Sequence, residues 1–154
     1  MKFEIKNCWS GSVIFTAEIE ATEDTPISIK LGLAVKVAVE NRANLVRANL
    51  YGANLVRANL DGANLYGAAG NNRHVKTIQA GQYVVTYTDT IMQIGCQRHT
   101  IEEWFGFDNA KIAAMDGKAA LKFWNAWKPI LQQITAASPA EATGYVAPQA
   151  DAAE

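Results

Sequence analysis

Polar and apolar residues alternate from Lys2 to Lys6 and again from Val13 to Glu20, with Trp9-Ser10-Gly11 between the two runs. A period of two marks a half-buried strand, so a β-hairpin is expected over residues 3–20. From residue 26 the spacing changes. Ile29, Leu33 and Val37 recur one helical turn apart behind Pro26, a residue suited to a helix start, so a helix is expected over 26–40. Then neither period holds. Residues 43–67 read ANLVR ANLYG ANLVR ANLDG ANLYG, one five-residue phrase repeated without a break. Ala and Leu of one unit point the same way, as alternate strand residues do. The next two residues must turn the chain so that the following Ala again points inward. Repeating that turn gives a coil with a filled axis, a solenoid.

The phrase resembles the pentapeptide-repeat family, whose consensus is Ala, then Asn or Asp, then Leu, then two variable residues. The match is strict over 43–67, and residues 38–42 (AVENR) form a weaker sixth unit with Glu40 where Leu belongs. The resemblance implies a short right-handed quadrilateral β-helix with four units per turn and Leu and Ala stacked along its axis. Asn44, Asn49, Asn54, Asn59 and Asn64 are then expected to bond backbone near the corners, as scaffold. The helix over 26–40 is expected to cap the open end. Five units are little more than one turn and bury little apolar surface. The flanking parts must pack on them, or two copies must stack as a homo-oligomer.

Beyond Gly70, residues 75–80, 83–88 and 91–95 read as three short strands with turns at Gly81-Gln82 and Thr88-Asp89-Thr90. Thr100-Ile101-Glu102-Glu103 fits a capping box that opens a short helix. Asp108 suits the cap of a second helix, ended by Asp116-Gly117. A third helix follows, with Ala120, Trp124, Trp127, Leu131 and Ile134 on one face and a kink or new start at Pro129. The stretch 138–154 is rich in Ala with Pro139 and Pro148 and reads as a disordered tail. The expected class is α+β. Its parts are an N-terminal hairpin and capping helix (1–42), the repeat coil (43–70), a small α+β domain (71–137) and the tail (138–154).

Composition narrows the function classes. The formal net charge is −1, so bulk electrostatics names no partner. Cys8 and Cys96 are the only cysteines, which excludes a disulfide framework. The chain opens without an apolar leader and contains no stretch suited to span a membrane, so a cytoplasmic place in a bacterial host cell is expected. DNA mimicry by the coil is not expected. Its outward positions carry Arg47, Arg57 and Asp61 in place of rows of carboxylates. Arg47 and Arg57, two faces apart, cannot form one basic stripe for phosphates. Outward Val46, Tyr51, Val56 and Tyr66 suit burial at an interface.

The other dense cluster is Cys96, Arg98, His99 and Trp104. A Cys96-dependent enzyme activated by His99 is one reading. A pocket in which Arg98, His99 and Trp104 hold an anionic nucleotide signal is another. A buried Cys96 with a His99 that satisfies a backbone group is the favoured one. No metal or cofactor is expected. Trp124 and Trp127 read as core or, if exposed, as interface anchors. Residues 95–104, Phe123-Trp124, Trp127-Lys128-Pro129 and the start of the chain are similar to short phage and prophage proteins that carry these repeats. That resemblance implies a viral or prophage origin. The expected function is a non-enzymatic interaction protein that binds and inhibits or modulates a bacterial partner, in counter-defence or host takeover.

Overall fold

A computed structural model describes residues 1–79 and 81–148. β1 (Lys2–Lys6) and β2 (Val13–Glu18) form the expected antiparallel hairpin, with Ile5 opposite Phe15. Its inward Ile5 and Ala17 are fully buried in the same core as the repeat residues. Helix α1 (Ile27–Glu40) starts after Pro26, as expected, but buries a different face. Gly32, Ala34, Val35 and Ala38 are covered, whereas Ile29, Leu33 and Val37 are half-buried. Size is the reason, because small residues let the helix backbone press onto the repeat. The Asn54 N–H donates to the Ser28 carbonyl at 2.9 Å, and a Cβ on Gly32 would stand 1.9 Å from the Asn54 carbonyl oxygen.

The helix ends in a left-handed residue. Arg42, at φ 54, donates its N–H to the Val39 carbonyl, and Ala43 donates to the Ala38 carbonyl. This closing turn satisfies the last carbonyls of the helix and hands the chain directly to the first repeat. Each unit then repeats one turn. The N–H groups of Ala48, Ala53, Ala58, Ala63 and Ala68 donate to the carbonyls of Leu45, Leu50, Leu55, Leu60 and Leu65. The residue before each of these alanines has positive φ: Arg47, Gly52, Arg57, Gly62 and Gly67. Positive φ at the third of four residues is the signature of a type II turn, which favours Gly there. Each repeat Asn accepts, on its side-chain oxygen, the N–H two residues on, the scaffold role expected. The Leu and Ala positions are buried, except that Ala43 and Leu60 are half-buried. Asn49 pairs in parallel with Ala69, so the chain returns alongside itself after four units.

The second half holds an antiparallel sheet in the order β3 (Lys76–Gln79), β4 (Val84–Tyr87), β5 (Ile91–Ile94) and β6 (Gln97–Thr100). β6 has no counterpart in the expected strands, because Gln-Arg-His-Thr offers no apolar alternation. It forms as the return arm of a hairpin that turns at Gly95, φ 56. The register gives the sheet two unlike faces. One row, Ile78–Val85–Ile94, and the residues Tyr87 and Met92 meet the helices. The opposite row, Thr77–Thr86–Gln93–Arg98, is polar and turned toward the repeat. Thr77 Oγ1 donates to the Ala68 carbonyl, and Gln93 Nε2 donates to Asn64 Oδ1 at 3.0 Å.

Helix α2 (Ile101–Gly106) opens with the capping box expected at Thr100 and Glu103. Backbone and side-chain bonds with Thr100 hold the Glu103 carboxyl below the usual carboxylate range. Helix α3 (Asn109–Ala137) is capped by Asp108 and broken at Asp116 and Gly117, where two helices were expected to divide. No new segment starts at Pro129: the helix runs on through it, and the backbone leaves helical geometry only at Asp116 and Gly117. The face carrying Ala120, Phe123, Trp124 and Leu131 packs on the sheet.

The expected disordered tail is corrected over its described part. From Ser138 to Thr143 it runs as a strap from the sheet to the repeat. The Tyr87 hydroxyl donates to the Ser138 carbonyl, Ala140 is buried, and the Glu141 N–H donates to the Arg73 carbonyl. Thr143 accepts the Arg57 N–H on its carbonyl and donates from its hydroxyl to the Ala58 carbonyl. These bonds parallel those that Tyr66 and Ala69 give to Arg47 and Ala48. Thr143 thus supplies bonds that a following repeat would otherwise make. Residue 80, expected at the end of a strand, and residues 149–154 of the expected tail lie outside the described residues.

Candidate functional site

The cluster expected around Cys96 does not assemble. Cys96 sits exposed in the turn between β5 and β6, not in the core as favoured. A turn that reverses at Gly95 leaves its next residue outside the sheet. Arg98 and His99 are neighbours on β6 and therefore project to opposite faces. His99 lies edge-on to Trp104 at 5.3 Å and to Phe107 at 5.0 Å, inside an aromatic cluster. Trp104 is buried and donates its indole N–H to the Met92 carbonyl. Arg98 stands at the end of the polar row that faces the repeat. One pocket formed by Arg98, His99 and Trp104 is therefore excluded by strand geometry. Trp124 is core, tilted against Trp104, and Trp127 is half-buried and stacked on Phe123.

Near Cys96, the Tyr83 hydroxyl donates to the Asp116 carboxylate at the break in α3. That bond, with some burial, pushes the Tyr83 pKa up to about 12. The pair fastens the start of β4 to the helix break. Among the described residues, no three His, Cys, Asp or Glu side chains are grouped to hold a metal ion. No helix there is long and apolar enough to cross a membrane.

The two repeat tyrosines do not share a face. Tyr66 is half-buried in a groove with Trp9, Arg47, Gly81 and Tyr83. Arg47 in turn covers Gly67, so this side of the repeat is lined by its own neighbours. Tyr51 stands at another corner and is 80% exposed. The turns at Tyr51-Gly52 and Val56-Arg57 flank Asn54, and Asn54 is bonded to the start of α1, where Ile27 is 69% exposed. Ile27 thus sits one residue from the Ser28–Asn54 bond, and Tyr51 and the exposed Val56 stand on the turns either side of Asn54. Sequence reasoning found Tyr51 and Val56 from their outward positions. It missed Ile27, because only the bond between Ser28 and Asn54 brings the helix start to these turns.

Residues 41–69 match the family model described as pentapeptide repeats in 8 copies. No curated protein and no solved structure matches the chain.

Proposed function

Taking the chain as a pentapeptide-repeat protein over residues 41–69, we propose that it is a non-enzymatic interaction protein that docks a bacterial protein on the edge lined by Ile27, Tyr51 and Val56. The repeat serves as a rigid platform, a right-handed quadrilateral β-helix of little more than one turn. The parallel pairing of Asn49 with Ala69, four units apart, supports that geometry. Binding inhibits or modulates the partner in the host cytoplasm, in a counter-defence or host-takeover setting suggested by the resemblance of the start of the chain and of residues 95–104 and 123–129 to short phage and prophage proteins. The observation that carries the reading is Tyr51, a large aromatic side chain held 80% exposed on a corner fixed by backbone bonds. Aromatic residues on a rigid frame make strong anchors, because little freedom is lost when they are covered.

The test is affinity capture from bacterial lysate with the wild type, Tyr51→Ser and Val56→Ser. A partner held by the wild type and lost by both variants supports the reading. A partner held equally by all three overturns it. Light scattering on the same samples separates a foreign partner from a second copy of this chain. Dimers that dissolve in the Tyr51→Ser variant would make the edge a self-association surface.

A further inference from the structure

The polar row of the sheet and the repeat do not close on each other completely. Between them lies a cleft of about 320 Å³, bordered on a third side by the strap. Its size falls at the lower end of the range for small-molecule sites. Two of the four row residues are tied to the repeat, Thr77 to Ala68 and Gln93 to Asn64. Thr86, between them, is not. Its residue is only 3% exposed, and its Oγ1 is the one buried side-chain oxygen or nitrogen without a partner among the described residues. A buried hydroxyl left without a hydrogen bond is costly, and because Thr86 lines the cleft, a rotation about its χ1 would carry Oγ1 to an occupant and relieve that cost.

The remaining polar atoms define what that occupant offers. His74 is buried, and its Nδ1 lies 2.9 Å from the Glu141 carbonyl. A carbonyl only accepts, so Nδ1 donates this bond. Gln93 spends its amide N–H on Asn64, which leaves its Oε1 as an acceptor. Asp61 and Asp89 bring carboxylates to the same cleft. Against these acceptors stands one cation, Arg98, which makes no ion pair among the described residues. The lining is rich in acceptors, with two negative charges and one positive. A phosphate would meet Asp61 and Asp89 as like charges. A ligand with a protonated amine and one carboxylate complements both signs.

We propose that this cleft binds a small zwitterion of amino-acid size, with its ammonium group among the acceptors and its carboxylate on Arg98, Thr86 Oγ1 bonding to it from the floor. The site is separate from the exposed edge around Tyr51, and its occupancy does not depend on a protein partner. It is also distinct from any pocket at His99, which faces away from it.

The test is calorimetry of the full chain with each protein amino acid singly. Propylamine and acetate serve as half-ligands, and ribose 5-phosphate and AMP as phosphate-bearing controls. At least one amino acid is expected to bind in the submillimolar range. Thr86→Val is expected to weaken that binding roughly tenfold, the effect of one hydrogen bond to a charged group. Its melting temperature should hold or rise, because an orphan hydroxyl is removed. Arg98→Ala is expected to weaken the amino acid similarly while leaving propylamine unchanged. If no amino acid binds at millimolar concentration, the proposal fails. It fails equally if binding is indifferent to both substitutions, or if the phosphate-bearing compounds bind more tightly than any amino acid.

Discussion

Replacing Gly32 by Ala separates a docked helix from a free one by the sign of its effect. In an isolated helix, Gly→Ala is favourable by about 1 kcal/mol, because glycine loses more backbone freedom on folding. In this protein the new Cβ would stand 1.9 Å from the Asn54 carbonyl oxygen and 2.9 Å from its carbon. Both atoms are backbone in the middle of the repeat, so they cannot swing aside as a side chain would. Helix α1 must retreat by more than an ångström, straining the bond between Asn54 and Ser28 and loosening Ala34, Val35 and Ala38. Overpacking of this kind costs about 1–3 kcal/mol, and a weakened hydrogen bond adds about 1. After the helix gain is subtracted, the net loss is about 1–3 kcal/mol. For a chain of this size that lowers the melting temperature by roughly 2–12 °C. Thermal melting followed by circular dichroism reads the shift. Gly106→Ala, where a Cβ meets no atom within 4 Å, is the control. A Gly32→Ala protein as stable as the wild type, or more stable, would refute the docking of α1 on the repeat.

Three further outcomes follow from the same contacts. Truncation after Ala137 should lower the melting temperature, because the strap's bonds to Arg57 and Ala58 contribute about 0.5–1.5 kcal/mol each; an unchanged melt would show that the strap is dispensable. Gly52→Val should destabilise by about 1–2 kcal/mol although its Cβ meets nothing within 4 Å, since φ 73 is strained for a branched residue; a neutral result would argue against the repeated turn. Tyr83 carries a raised pKa, so its protonated hydroxyl contributes stability that is fully present below pH 10 and lost as pH rises through about 12. Asp116→Asn should bring the Tyr83 titration, read as the ultraviolet difference from Tyr83→Phe, back toward 10; no change would dismiss the Asp116 bond as the cause.

Local rules were legible in the residues. The five-residue period announced the repeated turn, and the Asn positions announced its side-chain bonds. Thr100 with Glu103 and Asp108 announced both helix caps. What the sequence hid was contact between distant segments. The buried face of α1 is set by which residues are small enough to meet Asn54, and periodicity ranks large residues above small ones. β6 carries no apolar pattern, because its place is set by pairing with β5. The strap lacks a periodic face since it works through backbone groups and the scattered side chains of Ser138, Ala140, Glu141 and Thr143. The same blindness affected the candidate site. Arg98 and His99 look like one site as neighbours in sequence, yet a strand sends them apart. Thr86, Gln93 and His74 drew no attention, being scattered along the chain and joined only by the sheet register and the strap.

The claim that Tyr51 anchors a protein partner is tested most directly by photo-crosslinking in bacterial cells. A benzophenone amino acid is placed at position 51 and, in a separate protein, at the exposed position 132 on α3. The account predicts a discrete adduct with one bacterial protein from position 51 and none from position 132. Adducts from position 132 alone, or no adduct from position 51 in a folded and abundant protein, would contradict it.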